Sequence, residues 1–319
     1  MRTRVSHVLV TSGVLAILAG DLSSCAPAIV ATVPSTVAET RASELWDADI
    51  RVSAGDGFNG PWGAKGAPDP NATYQYVKPK THGVNPGMTV RDPDGRTWHV
   101  KQGVEAPVEV VLSRVLSLLG YHQPPVYFLA HFTLQDSSGT HDTAGGRFRL
   151  QAKSLKDAGE WSWQQNPFVG TDPYQGLLVV LLMFNSSDLK NSNNTLYTLS
   201  EPKDGATRWY VVRDLGTALG ETGRLDPKRS DPDLFDRSGF ITGVENGYVK
   251  FDYRGRHQEL YKHRITPANV KWAVRLFAQL TDDQLRDAFR AGGYERTLAE
   301  RFIGRLHEKT RDGEERLGP

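Results

Sequence analysis

The run Tyr174 to Phe184 (YQGLLVVLLMF) is continuously apolar and leads into Asp188-Leu189-Lys190-Asn191-Ser192-Asn193. It is too short to span a bilayer and reads as a buried helix. Farther on, the β-rich run Trp209-Tyr210-Val211-Val212 leads into Asp214-Leu215-Gly216, so a buried helix feeds one polar cluster and a strand feeds the other. In chain order the clusters supply a carboxylate, a cation, an amide oxygen and a second carboxylate. Phosphoryl transfer calls for these four types: one carboxylate orients the acceptor hydroxyl, a cation sits near the transferred phosphate, and an amide oxygen and a further carboxylate hold metal ions. Taken singly, each cluster has a plainer reading. Asn, Asp and Ser favour polar turns for local hydrogen-bonding reasons, and Asp214-Leu215-Gly216 also reads as a strand end.

The spacing resembles the protein-kinase catalytic loop D-x-K-x-x-N and the metal-binding D-[FL]-G. The resemblance implies ATP as donor, Asp188 as the acceptor-orienting base, Lys190 as the phosphate-side cation, and Asn193 and Asp214 as ligands of Mg²⁺ or Mn²⁺. It also implies an upstream strand lysine paired with a helix glutamate. Met88 to Arg91 and Arg96 to Lys101 form a hairpin pattern around Asp92-Pro93-Asp94-Gly95, and Lys101 closes the second strand. After Gly103, apolar residues recur at helical spacing from Val111 to Leu119, with Pro107 suited to the first turn. Glu109 is expected in that opening turn and Glu105 just outside it. Either can meet Lys101, and Glu109 is preferred because a helix fixes its direction. Gly83-Val84-Asn85-Pro86-Gly87 stands where a phosphate-covering loop belongs, with Gly87 nearest the first strand, but it has only two glycines.

Lys101, Glu109, Asp188 to Asn193 and Asp214 follow the chain order of the kinase-like superfamily, which includes secreted atypical kinases. The resemblance covers Asn85 to Gly216 well and the remainder loosely. It implies an α+β, protein-kinase-like two-lobed fold, with a sheet-rich N-lobe over residues 72–152 and a helical C-lobe over 153–319. The phrases GVNPGMTVRDPDGRTWHVKQGVEA and GYHQPP also resemble a group of exported bacterial kinase-like lipoproteins, which names no biochemical role.

Departures from the kinase pattern carry expectations too. Ser186 and Ser187 precede Asp188 in place of His and Arg, which argues against control through an arginine that reads a phosphorylated segment. The stretch between Asn194 and Asp214 is long and reads as a hairpin of Thr195 to Leu199 and Arg208 to Val212 closed around Pro202 to Gly205. Gly55-Asp56-Gly57-Phe58-Asn59-Gly60 fits G-x-G-x-x-G, but it follows no convincing strand and opens no helix, so a flexible linker from Gly55 to Asn71 explains it better. Ser187-Asp188-Leu189-Lys190 matches S-x-x-K of penicillin-binding enzymes, yet Lys80-Thr81-His82-Gly83 precedes the serine instead of following it. The nine histidines are dispersed, which disfavours a zinc site.

At 319 residues with a net charge of +1, the chain has length for a two-lobed core and no basic surplus to suggest nucleic acid. Arg2 and Arg4 precede the apolar segment Val8 to Gly20, and Leu22-Ser23-Ser24-Cys25 resembles a lipobox. Residues 1–25 are thus expected to be a lipoprotein-type signal with Cys25 lipidated, and 26–71 a tether and linker. The plain alternatives are a secretory peptide cut near Ala28 or an uncleaved anchor. A single cysteine suits lipidation, since exported proteins ordinarily hold cysteines in pairs.

Thr266-Pro267 and Thr281-Asp282-Asp283-Gln284 open helices, and Gly292-Gly293 separates them from a last helix carrying Leu298, Phe302, Ile303 and Leu306. The reading at this stage is an ATP- and Mg²⁺-dependent phosphotransferase held in the cell envelope by its lipid alone, acting on a protein or small-molecule acceptor. The alternatives are a kinase-like lipoprotein that binds a ligand or partner without turnover, because ATP is expected to be scarce there, and a structural envelope protein.

Overall fold

The computed structural model describes residues 42–81, 83, 85–223 and 226–317, all of which lie in one compact unit. Cys25, the expected signal and the tether up to residue 41 lie outside the described residues.

Five strands make the N-terminal lobe: β1 (Thr73–Pro79), β2 (Gly87–Arg91), β3 (Thr97–Lys101), β4 (Val126–Asp136) and β5 (Gly139–Leu150). Their order is β1-β2-β3-β5-β4, and β1 runs parallel to β4 to close a small barrel. Alternation puts Tyr74, Val90, Trp98, Phe132 and Phe148 inside, all buried. The expected β2–β3 hairpin is present, pairing Arg91 with Thr97 and Gly87 with Lys101. Its turn is held by the Asp92 carboxylate, which accepts from Arg96 N at 2.8 Å and Trp98 Nε1 at 2.9 Å, while Gly95 takes φ +78°. That backbone conformation suits glycine, which has no Cβ to clash.

Helix α1 (Glu105–Leu118) follows β3. It starts earlier than expected, at Glu105, because Gly103 turns the chain at φ +92° and Pro107, third in the helix, needs no N–H there. Glu105 and Glu109 are therefore one helical turn apart and share a face.

The second lobe is built on α2 (Asp172–Met183), buried throughout from Tyr174 and capped by Thr171, whose hydroxyl accepts from Tyr174 N. Helix α4 (Pro267–Phe277) packs directly on it, and α3 (Pro232–Arg237), α5 (Asp282–Ala291) and α6 (Arg296–Glu315) share the same hydrophobic core. Both α4 and α5 open with reciprocal capping boxes, Thr266 with Asn269 and Thr281 with Gln284. Lys309 of α6 is wholly buried, and its Nζ donates to Met183 O at 2.9 Å and Asn185 Oδ1 at 2.8 Å and lies 4.3 Å from the centre of the Phe235 ring. Asn185 in turn donates to Gly220 O at 2.6 Å. This chain of bonds fixes the base of the Asp188 loop from below.

The long stretch after Asn193 forms the hairpin of β7 (Asn194–Lys203) and β8 (Ala206–Val212), and β6 (Leu155–Asp157), from before α2, pairs with β7 to make a three-stranded sheet. It turns at Asp204 (φ +50°) and Gly205 (φ +79°), a tighter hairpin than the one expected around Pro202 to Gly205. A further hairpin, β9 (Ile241–Glu245) and β10 (Tyr248–Phe251), lies between Gly216 and Thr266.

The flexible linker expected from Gly55 to Asn71 is instead a packed strap. Trp62 Nε1 donates to Gln123 O at 2.9 Å, and Phe58 O accepts from Arg114 Nε at 2.9 Å. The glycines of G-x-G-x-x-G serve close packing there: a Cβ on Gly55 would lie 2.5 Å from Leu118 Cδ2, and one on Gly57 would lie 2.5 Å from Gln284 O.

Candidate active site

Lys101 ends β3 pointing at α1, and its ammonium meets three carboxylates: Glu105 at 2.7 Å, Glu109 at 3.2 Å and Asp214 at 2.7 Å. The choice between Glu105 and Glu109 is thus resolved as both. Burial alone would depress the lysine, but Glu109, Asp214 and Glu105 together hold its pKa above the ordinary 10.5.

The β3–β5 register sets Arg147 opposite Lys101 and Arg149 opposite His99, on the same face of the sheet. Both arginines converge on Glu109, which is 1% exposed. Arg149 Nη2 donates to Glu109 Oε1, and Arg147 Nε lies 2.9 Å from the same oxygen without hydrogen-bond alignment. Arg147 also donates to His99 O at 2.9 Å, and Arg149 to Arg213 O at 3.1 Å. Burial would raise the Glu109 pKa, but Arg147, then Lys101 and Arg149, hold it well below the ordinary 4.5. Neither arginine was marked as a site residue by the sequence.

The two polar clusters meet through the backbone. Asn193 sits in a 3₁₀ turn (Asn191–Asn193), and its carbonyl accepts from Arg213 N at 2.9 Å and Asp214 N at 3.1 Å. Its Nδ2 donates to Asp188 O at 2.5 Å, leaving Oδ1 as its acceptor atom. Ser187 N donates to Thr217 O at 3.0 Å, and Asn191 Oδ1 anchors the loop by accepting from Trp163 N at 2.9 Å. Asp188 is paired with Lys190 at 2.8 Å. Tyr253, on the C-terminal side of β10, is close enough to feel Asp188: after burial, that carboxylate's charge raises the phenol's pKa. Lys101, Glu105, Glu109 and Asp214 thus meet through their side chains, and Asp188, Lys190 and Asn193 lie on the loop that is bonded to the backbone of Asp214.

Gly87 lies directly across from Lys101, and a Cβ there would sit 2.3 Å from Val100 O and 3.2 Å from Lys80 Cδ. The bare glycine leaves room for the Lys80 stem, whose ammonium donates to Asn85 O at 3.0 Å. Burial first, and then the charge of Lys101, lowers the Lys80 pKa.

Among the described residues no three His, Cys, Asp or Glu side chains are grouped to hold a metal ion by themselves. Mg²⁺ asks less of a protein, commonly one or two carboxylates with the rest of its oxygens from water and phosphate. The Asp214 carboxylate, 46% exposed, and the free Asn193 Oδ1 are hard oxygen donors of the kind it takes.

A strand lysine held by a helix glutamate under a small sheet, facing a loop and an Asp-Leu-Gly on a helical lobe, makes this a kinase-like two-lobed α+β fold. No protein-family model and no curated protein matches the sequence. Among solved structures, the chain is similar to the crystal structure of a Helicobacter pylori proinflammatory kinase, CtkA, at 9% identity and a TM-score of 0.43, over 78% of this chain and 96% of that one. A likeness that distant assigns no role.

Proposed function

We propose that this protein is an ATP-dependent phosphotransferase of the atypical, kinase-like kind, and that it works in the cell envelope. The observation that carries the reading is the meeting of Lys101, Glu109 and Asp214 within 3.2 Å across two lobes, with the Asp188 loop bonded to the backbone of Asp214. Residues far apart in sequence need no such meeting in a scaffold. Lys101, oriented by Glu109, would bind the donor's phosphates, with Arg147 and Lys80 adding positive charge. Asp188 would accept the hydrogen bond of the acceptor hydroxyl and aim it, and Lys190 would offset charge on the transferred group. Asp214 and Asn193 would hold Mg²⁺ or Mn²⁺, which when bound neutralises phosphate charge. The acceptor, a protein or a small molecule, would approach from the side of Tyr253.

A ligand that binds only the folded state stabilises it by RT ln(1 + [L]/Kd), about 2.7 kcal/mol at a hundredfold excess. ATP with Mg²⁺ is expected to raise the melting temperature of protein lacking residues 1–25, and Asp214→Ala is expected to remove the dependence on metal. Unchanged melting with ATP and either metal would refute nucleotide binding.

One feature favours a second reading, a nucleotide-binding protein without turnover. An ammonium has three N–H groups, and Lys101 faces three carboxylates, the metal-ligand candidate Asp214 among them.

We further propose that Cys25 is lipidated and is the sole membrane anchor. Among the described residues no helix is long and apolar enough to cross a membrane. Labelled palmitate is expected to enter the wild type and not Cys25→Ala. Equal labelling, or none, would defeat this.

A further inference from the structure

The ring of carboxylates on Lys101 extends one step farther. Glu105 touches Lys101 through Oε2, and through Oε1 it meets Arg229 Nε at 3.1 Å. Arg229 lies beyond the Asp-Leu-Gly, where the chain doubles back on itself. Glu221 N bonds Lys228 O, Ser230 N bonds Ala218 O, and Asp231 N bonds Leu219 O, at 2.8 to 3.1 Å. Gly220 allows this return, since a Cβ there would fall 2.0 Å from Lys228 O. At the other end Gly216 lies flush against α1, where a Cβ would be 2.5 Å from Glu105 Cβ. The segment therefore touches Glu105 twice, once through backbone and once through a guanidinium. Arg229 is aimed by its own loop, donating to Pro227 O at 3.1 Å and Asp226 Oδ1 at 3.2 Å.

Two cations thus share one carboxylate, each on its own oxygen. A phosphate can bond Lys101 only by taking the place of one of its three partners. Glu109 is held by two arginines, and Asp214 lies on the far lobe. Glu105 alone has a second cation within reach that is not part of the nucleotide-facing cluster.

We propose that Arg229 is a positioning residue: it draws Glu105 off Lys101 as the nucleotide's phosphates arrive, coupling the segment after Asp214 to nucleotide binding with no phosphorylated residue needed. The proposal rests on the nucleotide reading above. It accounts for the absence of an arginine before Asp188, since a segment already tied to α1 by its own arginine needs no reader.

The test is a double-mutant cycle on the Kd for ATP with Mg²⁺, measured by titration calorimetry, with melting in the absence of nucleotide to show that each variant folds. Glu105→Gln removes a competitor for Lys101 and is expected to tighten binding at least threefold or so, a coupling of ordinary size. Arg229→Ala leaves Glu105 wholly to the lysine and is expected to weaken binding by a similar factor, with Arg229→Lys close to wild type. In the Glu105→Gln background Arg229→Ala is expected to have no effect. A purely structural ion pair would instead give the same loss for both single variants. Weaker binding in Glu105→Gln, or an equal effect of Arg229→Ala in both backgrounds, overturns this proposal while leaving the nucleotide reading standing. A wild type that binds no nucleotide overturns both.

Discussion

Replacing Glu109 by glutamine is expected to cost about 3–5 kcal/mol of folding stability, the usual penalty for removing one partner of a buried ion cluster. The carboxylate is 1% exposed and is the convergence point of Lys101, Arg147 and Arg149. Glutamine keeps the shape but removes the charge and turns an amide toward cations. Lys101 keeps Glu105 and Asp214, whereas Arg147 and Arg149 lose the one carboxylate they share. Urea unfolding measures this as a lower midpoint at unchanged slope. Asp287→Asn serves as the control: its partner Arg290, at 2.8 Å, is well exposed, and such surface pairs are worth about 1 kcal/mol or less. The pH dependence has a definite sign. Because the folded pKa of Glu109 is depressed, its contribution is fully present above the unfolded value near 4.5 and fades as pH falls below it. Wild type is expected to lose this component on acidification and Glu109→Gln is not. A variant within about 1 kcal/mol of wild type would mean that the cluster is not desolvated as described.

The parts of the cleft that could be read from the sequence were those carried by a local pattern. The apolar run ending at Phe184, the β2–β3 hairpin, the Thr266-Pro267 helix opening and the capping box at Thr281 are short-range signals, and each became the element it suggests. The arginines were not legible for a physical reason. In Gly146-Arg147-Phe148-Arg149 the alternation resembles any strand with one wet face, and only the register that sets Arg147 against Lys101 turns that face toward Glu109. Arg229 depends on the chain's return over residues 218–231, a contact no local pattern encodes. The β9–β10 hairpin did carry a signal. Asn246-Gly247, with φ of +51° and +81°, joins two β-rich runs, but the surrounding Gly, Asp and Arg disguised it. The strap from Gly55 to Asn71 was misread because its glycines, which suggest freedom in a sequence, are there to let the backbone press against Leu118 and Gln284.

The second large effect is expected at Asp188. Its loop is fixed independently of its carboxylate, through the Asn193 side chain on Asp188 O, the Ser187 bond to Thr217 O, and the Asn185 and Lys309 bonds beneath. Asp188→Asn therefore alters one oxygen at the acceptor side and leaves the fold and the Lys101 cluster alone. A group that positions and accepts a proton is worth about 10²- to 10⁴-fold in rate. Asp188→Asn is thus expected to bind ATP with Mg²⁺ almost as wild type does and to turn over at least about 100-fold more slowly. Transfer of labelled phosphate from ATP to the protein itself or to an envelope extract, in wild type beside Asp188→Asn, puts this to the test. Transfer by the wild type that collapses in the variant while nucleotide binding persists is the result the phosphotransferase account predicts. Equal transfer by both proteins, or nucleotide binding by the wild type with no transfer under Mg²⁺ or Mn²⁺, would contradict it.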